Sequence, residues 1–198
     1  MPYNRYKHHR QSTRLKGWDY SRPGAYFVTI NVKGRVCFFG RVENDKVILS
    51  DVGKVAHNNL IAIPEHFPHV SLDEYVVMPN HVHVIVFIDR PVEAVQTVES
   101  DRKGVPVERP YADHENKAEY YQKISPKKGS LSVIMRTYKG SIKTWCNNNG
   151  YGDFEWQSRF NDSVIRSNEE LKRRRQYIID NPKNWDDDDY NPMNDKRI

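Results

Sequence analysis

The feature of this sequence that most limits its fold is one apolar octapeptide, HVHVIVFI, at residues 81–88. Its residues other than the two histidines are β-branched or aromatic, which favours a β-strand. Both faces of such a strand are apolar, so both have to be covered. The octapeptide therefore predicts a central strand with helices on each face of its sheet, and 198 residues suffice to build that core.

Similar clusters of β-branched and aromatic residues predict the other strands. These strands are expected at 25–32, 36–42, 46–49, 70–77, 154–157 and 163–166. The tripeptide MPN at 78–80 predicts a turn into the octapeptide, because proline has no amide donor and keeps the preceding residue out of helical geometry.

Three helices are predicted between these strands. Ser50 can cap the first, and Pro64 is expected to end it. An apolar stripe at helical spacing predicts the second over 131–145. Ser167 and Glu170 have the spacing of a capping box and predict a third helix that runs to about residue 181. Antiparallel-looking strands with a few helices among them indicate an α+β domain.

The positive charge is concentrated in two places. The net charge is +5, from 31 Lys and Arg against 26 Asp and Glu. Residues 1–22 form a polar, basic arm, and a second basic run at 172–175 lies just before Tyr177. Such patches suit a polyanion such as nucleic acid, and a merely basic solvated surface is the alternative. The predicted DNA-binding residues are Arg5, Lys7, Arg10, Arg14, Lys16, Arg173, Arg174 and Arg175.

One domain is predicted over 23–185, between the arm and an acidic tail at 186–198 that is expected to be solvated. Within it, residues 90–129 lack periodicity and mix proline, glycine and charge, which is typical of a functional loop or an insertion. The longest apolar run is too short to span a bilayer, so no membrane association is expected. Without a secretory signal, and with two cysteines expected to stay reduced, a cytoplasmic location is predicted.

His81 and His83 lie two residues apart, so a strand places both imidazoles on one face. Such a pair can chelate one divalent cation, with a third ligand from elsewhere in the chain. A bare HxH pattern nevertheless more often marks two histidines that form local hydrogen bonds or are exposed to solvent. The pattern by itself leaves both interpretations open. The other histidines show no ligand spacing and are predicted to be surface or capping residues.

Tyr177 and Asn181 are four residues apart and share one face of the third predicted helix. The amide oxygen of Asn181 is a candidate third ligand, which would hold the cation close to the Tyr177 hydroxyl. A phenol placed there can act as a covalent nucleophile on a phosphodiester while Mg²⁺ or Mn²⁺ offsets the developing charge. Spacing alone does not select Tyr177 over Tyr138.

Several motifs of the chain resemble those of single-tyrosine HUH transposases. The segment LDEYVVMPNHVHVIV at 72–86 looks like their HUH signature. The segment FEWQSRFNDSVIRSNEELKRRRQYIIDNPKNW at 154–185 is similar to the end of the REP-associated tyrosine transposases, where W-Q, D-x-x-I-R and Y-I-x-x-N-P recur in this order. RLKGWDYSRPGAYFVTI at 14–30 and SLSVIMRTYKGSIKTW at 130–145 also resemble that group. The resemblance covers most of 14–89 and 130–185.

This resemblance implies an RRM-like or ferredoxin-like antiparallel sheet flanked by helices. It implies Tyr177 as the nucleophile and His81 and His83 as ligands of Mg²⁺ or Mn²⁺. Asn181 is the implied third ligand, a place where insertion-sequence relatives often have glutamine. The implied reaction cuts and rejoins single-stranded, hairpin-forming REP-like DNA through a 5′-phosphotyrosine, in a transposase or a domesticated form of one.

Two other classes of function are compatible with parts of this pattern. The first is a catalytically inactive DNA-binding protein on the same fold, against which the joint presence of His81, His83, Tyr177 and Asn181 speaks. The second is a metal-dependent hydrolase, which lacks support because no third histidine or carboxylate stands at zinc-hydrolase spacing. The recognised DNA sequence and the oligomeric state are left open, with a homodimer among the options.

Deletion of residues 1–16 is expected to weaken hairpin binding, because five positive side chains and no acid lie in that stretch. The salt dependence of binding should flatten by a few units of slope, each lost phosphate contact counting for roughly 0.7–0.9. The cleavage rate at saturating DNA should change much less. Fluorescence anisotropy titrations at several salt concentrations measure this, and an unchanged affinity and slope would show that the arm does not contact DNA.

Overall fold

The computed structural model of the chain describes residues 18–89 and 126–194. The strands there are β1 (Gly24–Asn31), β2 (Gly40–Glu43), β3 (Lys46–Leu49), β4 (Val70–Val77), β5 (His81–Ile88) and β6 (Asn161–Ile165). The helices are α1 (Asp51–Ile61), α2 (Ile63–His66), α3 (Leu131–Asn148) and α4 (Asn168–Asp180), and short 3-10 turns occur at Lys33–Arg35, Trp185–Asp187 and Pro192–Asn194. Most of the predicted arm and of the predicted segment 90–129 lies outside the described residues. No helix of the described ranges is long and apolar enough to cross a membrane.

Four strands form one sheet in the order β4-β5-β1-β6, and each neighbouring pair is antiparallel. The elements β1, α1, β4, β5, α3 and β6 follow one another as βαββαβ, which with this strand order is the ferredoxin-like arrangement. Strands β2 and β3 form a separate hairpin between β1 and α1, with positive φ at Asn44 (49°) and Asp45 (60°) as a type I′ turn requires. The predicted α+β fold with a flanked antiparallel sheet is confirmed.

Strand β5 lies in the middle of this sheet and is covered on both faces. Val82 and Val84 point to one face and belong to the main core with the apolar stripes of α1 and α3. Ile85 points to the other face and packs with Phe27 of β1 and Ile178 of α4. The central, doubly covered strand predicted from the octapeptide is therefore confirmed.

Two aromatic-rich segments predicted as strands are mainly loops. The predicted strand 36–42 is shorter, since β2 begins at residue 40, and 154–157 forms only one isolated bridge, at Trp156. Phe39 and Phe154 are fully buried, and the Phe39 ring lies 5.8 Å from that of Phe154 and 5.4 Å from that of Trp156. The aromatic side chains that favoured a strand here fill the core from loops instead.

Two smaller predictions were also wrong. Helix α1 ends at Ile61, and Pro64 stands in the first turn of α2, where its missing N–H costs no helical hydrogen bond. His69 is buried rather than exposed, and its Nε2 atom lies 2.9 Å from the carbonyl oxygen of Gly129. This contact joins the start of β4 to the residues just before α3.

Gly53, in the first turn of α1, lies against the segment that leads to the histidine strand. A Cβ atom on Gly53 would be 2.0 Å from the carbonyl oxygen of Phe39. The N–H of Phe39 donates in turn to the carbonyl of Pro79 at 2.8 Å, and the N–H of Ser50 donates to the Phe39 carbonyl at 2.9 Å. The close fit of α1 therefore helps to fix the turn that precedes β5.

Gly53→Ala is expected to lower the free energy of unfolding by about 1–3 kcal/mol or more, because the new methyl group overlaps a backbone oxygen and α1 must shift. Gly140→Ala is the matched control, since nothing lies within 4 Å of a Cβ at that exposed position of α3. Alanine there should stabilise by up to about 1 kcal/mol. Urea unfolding measures both, and equal effects of the two substitutions would contradict the close fit at Gly53.

Candidate functional site

His81 and His83 open strand β5 and face the same side of the sheet as α4. Their side chains are buried, at 0% and 1% exposed, and their ring centroids are 4.6 Å apart. Across the sheet, the register places Thr29 opposite His83 and Asn31 opposite His81. Alternation along β1 and β5 thus brings four polar side chains together on one face.

Asn80 sets the orientation and the tautomer of His81. Both N–H groups of the Asn80 amide donate to backbone carbonyls, those of Arg35 and Tyr190, each at 2.8 Å. Its Oδ1 atom is therefore the acceptor from His81 Nδ1, at 2.9 Å. The proton of the neutral His81 ring is assigned to Nδ1, and the lone pair of Nε2 is available to a ligand. That buried Nε2 atom has no hydrogen-bond partner among the described residues.

His83 is held in a comparable way. Its Nδ1 atom lies 2.8 Å from the hydroxyl oxygen of Thr29 in β1, and the Phe27 ring stacks on it at 5.3 Å. Its Nε2 atom lies 3.4 Å from the hydroxyl oxygen of Tyr177 in α4. The two histidines therefore keep their Nδ1 atoms in contact with the protein framework and leave their Nε2 atoms for the site.

Both imidazoles are neutral at physiological pH. Burial lowers the pKa of His81 to about 3 and that of His83 well below its usual range, where the neighbouring His81 and the charge of Arg174 act in the same direction. A histidine binds a metal ion in its neutral form. Removing both rings from water thus prepares them as ligands without competition from protons.

Tyr177 stands at the edge of this site on α4, whose first turn is capped by the Ser167 hydroxyl, the acceptor from Glu170 N–H at 3.1 Å. The residue is 43% exposed, and its ring lies 5.1 Å from that of His83. Burial raises the pKa of Tyr177, the negative charge of Asp188 adds to this, and a contact with the Asn181 amide opposes it. The phenol is both beside the histidines and open to solvent.

Asn181 follows α4 directly and is only 3% exposed. Its amide lies close enough to His81 to raise the pKa of that ring slightly against the effect of burial. Its Oδ1 atom is buried and has no hydrogen-bond partner in the described part of the chain. Asn181 Oδ1 and His81 Nε2 are thus two acceptors without a partner in the described residues. With His83 they form a donor set of imidazole nitrogens and one amide oxygen that suits a divalent cation, and the oxygen is the type of ligand that Mn²⁺ and Mg²⁺ favour.

The three arginines of α4 have different surroundings. Arg174 lies over the Phe27 ring at 4.6 Å, and its charge acts on both His83 and Tyr177. Arg175 instead forms an ion pair with Asp73 of β4 at 2.8 Å, and Arg173 is exposed. Of these three, Arg174 is the one that faces the site. The arm residues predicted to bind DNA, 5–16, lie outside the described residues.

Tyr138, the other tyrosine that spacing allowed, is buried away from the histidines. It is 3% exposed within α3, and its hydroxyl donates to the carbonyl of Ala56 at 3.1 Å. Burial strongly raises the pKa of Tyr138. It belongs to the core on the opposite face of the sheet from the histidines, so of the two tyrosines that spacing left open, Tyr177 is the one that lies beside them.

Comparison with known proteins gives a sequence relative of nearly the same length. An uncharacterized protein from Haemophilus influenzae is 30% identical over 189 residues, which cover 94% of this chain and 95% of that protein. The chain belongs to the family of that Haemophilus protein. No family model matches the chain.

The structure of a REP-associated tyrosine transposase bound to a REP hairpin is also similar to this one. Its TM-score is 0.53 at 18% identity, over 87% of this chain and 73% of that chain. The sequence resemblance to the REP-associated tyrosine transposases is thereby confirmed in the fold. A candidate transposase from Deinococcus radiodurans, 14% identical over 83% of this chain and 95% of that chain, has a TM-score of 0.37, too low to support an argument.

Several residues of the site were not predicted from the sequence. Thr29 contacts His83 only because of the cross-strand register, which no local pattern reveals. Asn80 directly precedes the pair, and that adjacency was a usable signal for a buried amide.

The tail was expected to be solvated, yet Asp188 and Tyr190 lie against His81, whereas Asp186, Asp187 and Asp189 are exposed. The ring of Tyr190 packs on that of His81, with 4.7 Å between the ring centroids, and this contact places Asp188 on the side of the histidines.

Thr29→Val is expected to lower Mn²⁺ affinity by about 10–100-fold, because it removes the contact that orients His83 while keeping the shape of the side chain. His81→Ala and His83→Ala should lower it further, since each removes an imidazole nitrogen that faces the site. His57→Ala, a histidine of α1, is the control and should leave the affinity unchanged. Isothermal titration measures the Mn²⁺ affinity of all four variants. Wild-type affinity in both His81→Ala and His83→Ala would show that the two histidines have only a structural role.

Proposed function

We propose that this protein is a metal-dependent nuclease and strand transferase that cuts and rejoins single-stranded DNA beside a hairpin. The observation that carries this proposal is the position of Tyr177, a half-exposed residue whose hydroxyl lies 3.4 Å from Nε2 of the buried His83. A nucleophile open to solvent next to two neutral, oriented imidazoles is what a covalent attack on a phosphodiester needs.

The proposed reaction is a transesterification. The Tyr177 oxygen attacks phosphorus, the hydroxyl proton passes to solvent, and the bond from phosphorus to the 3′ oxygen of the leaving strand breaks. That strand takes up a proton as a free 3′-hydroxyl, and the other strand stays on the protein as a 5′-phosphotyrosine. The phosphotyrosine bond conserves the free energy of the broken phosphodiester bond. Attack by a 3′-hydroxyl on this bond therefore reverses the step and rejoins DNA without ATP.

His81, His83 and Asn181 are the proposed ligands of Mg²⁺ or Mn²⁺. When bound, the ion supplies charge neutralisation at the non-bridging phosphate oxygens. The chain contributes the orientation of this donor set: Asn80 and Thr29 hold the two rings by their Nδ1 atoms. The unpaired Oδ1 atom of Asn181 supports its assignment as the oxygen ligand.

Recognition of the DNA is proposed to rest on phosphate contacts and on stacking. Arg174 is free to donate to a phosphate beside Tyr177, since its only polar contact in the described residues is a long one of 3.5 Å to the Ser163 hydroxyl. A bidentate guanidinium suits a phosphate there. The REP-associated transposase with the same fold is bound to a REP hairpin, which supports a hairpin substrate for this chain as well. Single-stranded bases beside such a hairpin can stack on aromatic side chains.

Tyr177→Phe is expected to abolish the covalent adduct while leaving hairpin affinity within about a factor of three, because one hydroxyl is lost from the nucleophile and the ring contacts with Phe27 and His83 remain. The substrate is a library of single-stranded oligonucleotides in which a hairpin stem is flanked by random nucleotides. Reactions with Mn²⁺ are read as an SDS-stable protein–DNA adduct, and EDTA should prevent it. Tyr151→Phe, on a ring that stacks on Trp145 instead, is the matched control and should react like the wild type.

Each other outcome has a distinct meaning. An undiminished adduct in Tyr177→Phe would refute Tyr177 as the nucleophile. Hairpin binding by the wild type with no adduct under any condition would support the inactive DNA-binding protein instead. Equal cleavage of the hairpin library and of the same sequences as plain duplex would indicate a different class of nuclease.

A further inference from the structure

The chain after α4 turns back over the histidine pair. Tyr190 lies with its ring 4.7 Å from that of His81, and its carbonyl accepts from the Asn80 amide at 2.8 Å. Asn191 is 6% exposed, and its amide donates to the carbonyl of Trp185 at 3.0 Å. Residues 185–191, called the C-terminal segment below, thus line one side of the site.

Within this segment, Asp188 points inward. Its side chain is 7% exposed, and its Oδ2 atom lies 3.9 Å from Nε2 of His81. Its Oδ1 atom accepts from the backbone N–H of Tyr190 at 2.6 Å, so Oδ2 is the oxygen that remains for the site. The neighbouring Asp187 and Asp189 are exposed, which makes Asp188 the inward carboxylate of the acidic run.

On the basis of the proposed function, we infer that Asp188 is a further ligand of the metal ion. Its Oδ2 atom would join His81, His83 and Asn181 and convert a site of two imidazoles and one amide into one that also has a carboxylate. As they stand in residues 18–89 and 126–194, no three His, Cys, Asp or Glu side chains form a group that could hold a metal ion, so the proposed set depends on the amide oxygen of Asn181 as well. The carboxylate approaches from the His81 side and completes the set there.

The distance between Asp188 and His81 fits shared coordination. Two ligands of one Mn²⁺ or Mg²⁺ in octahedral geometry are about 3 Å apart when adjacent and about 4 Å apart when opposite. The observed 3.9 Å is close to the separation of opposite ligands.

Burial makes the same assignment. The Asp188 side chain is only 7% exposed, so a nearby positive charge stabilises its ionised form, and the charge of Arg35 already acts in that direction. The buried Nε2 of His81 and Oδ1 of Asn181 have no hydrogen-bond partner in the described residues. One divalent cation would satisfy all three atoms. With one carboxylate ligand, the metal-bound site would keep a net charge of +1 and would still attract a phosphodiester. The added carboxylate oxygen also favours Mn²⁺ or Mg²⁺ over softer metals.

The test is Mn²⁺ affinity, measured by isothermal titration on the full chain without DNA. Asp188→Asn should bind Mn²⁺ at least about tenfold more weakly than the wild type, because a charged ligand becomes a neutral one. The substitution keeps Oδ1 as the acceptor from Tyr190, so thermal unfolding without metal should be unchanged. Asp187→Asn removes the same charge one residue away at an exposed position and should bind like the wild type.

Asp188→Cys gives a second, spectroscopic readout if Asp188→Asn folds poorly. In a Cys37→Ser background, which removes the exposed native thiol, Cd²⁺ should bind with an ultraviolet thiolate-to-metal band that the Asp188 protein lacks. Absence of this band would overturn the assignment.

The remaining outcomes separate this inference from the proposed function. No Mn²⁺ binding by the wild type would refute the metal centre itself. Equal Mn²⁺ affinity in wild type and Asp188→Asn would refute only Asp188 as a ligand. Faster cleavage by Asp188→Asn at unchanged Mn²⁺ affinity would also refute Asp188 as a ligand. It would show instead that the C-terminal segment only covers the site.

Discussion

The buried amide of Asn80 is the interaction on which the arrangement of this site depends. Asn80 is 1% exposed and joins three parts of the chain: the turn after β1 through Arg35, the C-terminal segment through Tyr190, and the histidine strand through His81. Leaving one buried partner unsatisfied costs about 1–3 kcal/mol, so the three parts are held together as a unit. One consequence is that the lone pair of His81 Nε2 is aimed into the site before any ligand arrives.

The two faces of the sheet serve different purposes. The face under α1 and α3 holds most of the buried apolar side chains, while the α4 face has a small cluster around Phe27, Ile85 and Ile178 beside the polar site. The histidines therefore sit on a strand that the main core makes rigid. Tyr177 sits on a helix held by that small cluster and by the ion pair between Arg175 and Asp73, so its distance to His83 rests on fewer contacts.

The sequence predicted well those features that depend on neighbours along the chain. The bounds of β4 and β5 were predicted correctly, as was the cap of α1, where the Ser50 hydroxyl accepts from Gly53 N–H at 3.0 Å. The same reasoning failed at Phe39, because an aromatic residue favours a strand locally but can equally fill the core from a loop. It also failed for the acidic run, since the count of aspartates does not reveal which one is turned inward by a neighbour such as Tyr190.

For the site, the sequence by itself determined that His81 and His83 share one face and that Tyr177 and Asn181 share another, because the periods of a strand and a helix are local properties. Only the tertiary structure decided that these two faces meet, that Thr29 stands opposite His83, and that Tyr138 is buried on the other side of the sheet. It also decided that Asp188 reaches His81. Strand register and the path of the C-terminal segment are set by packing between residues far apart in the chain, such as Asn80 and Tyr190 at 110 positions, and no local pattern encodes such contacts.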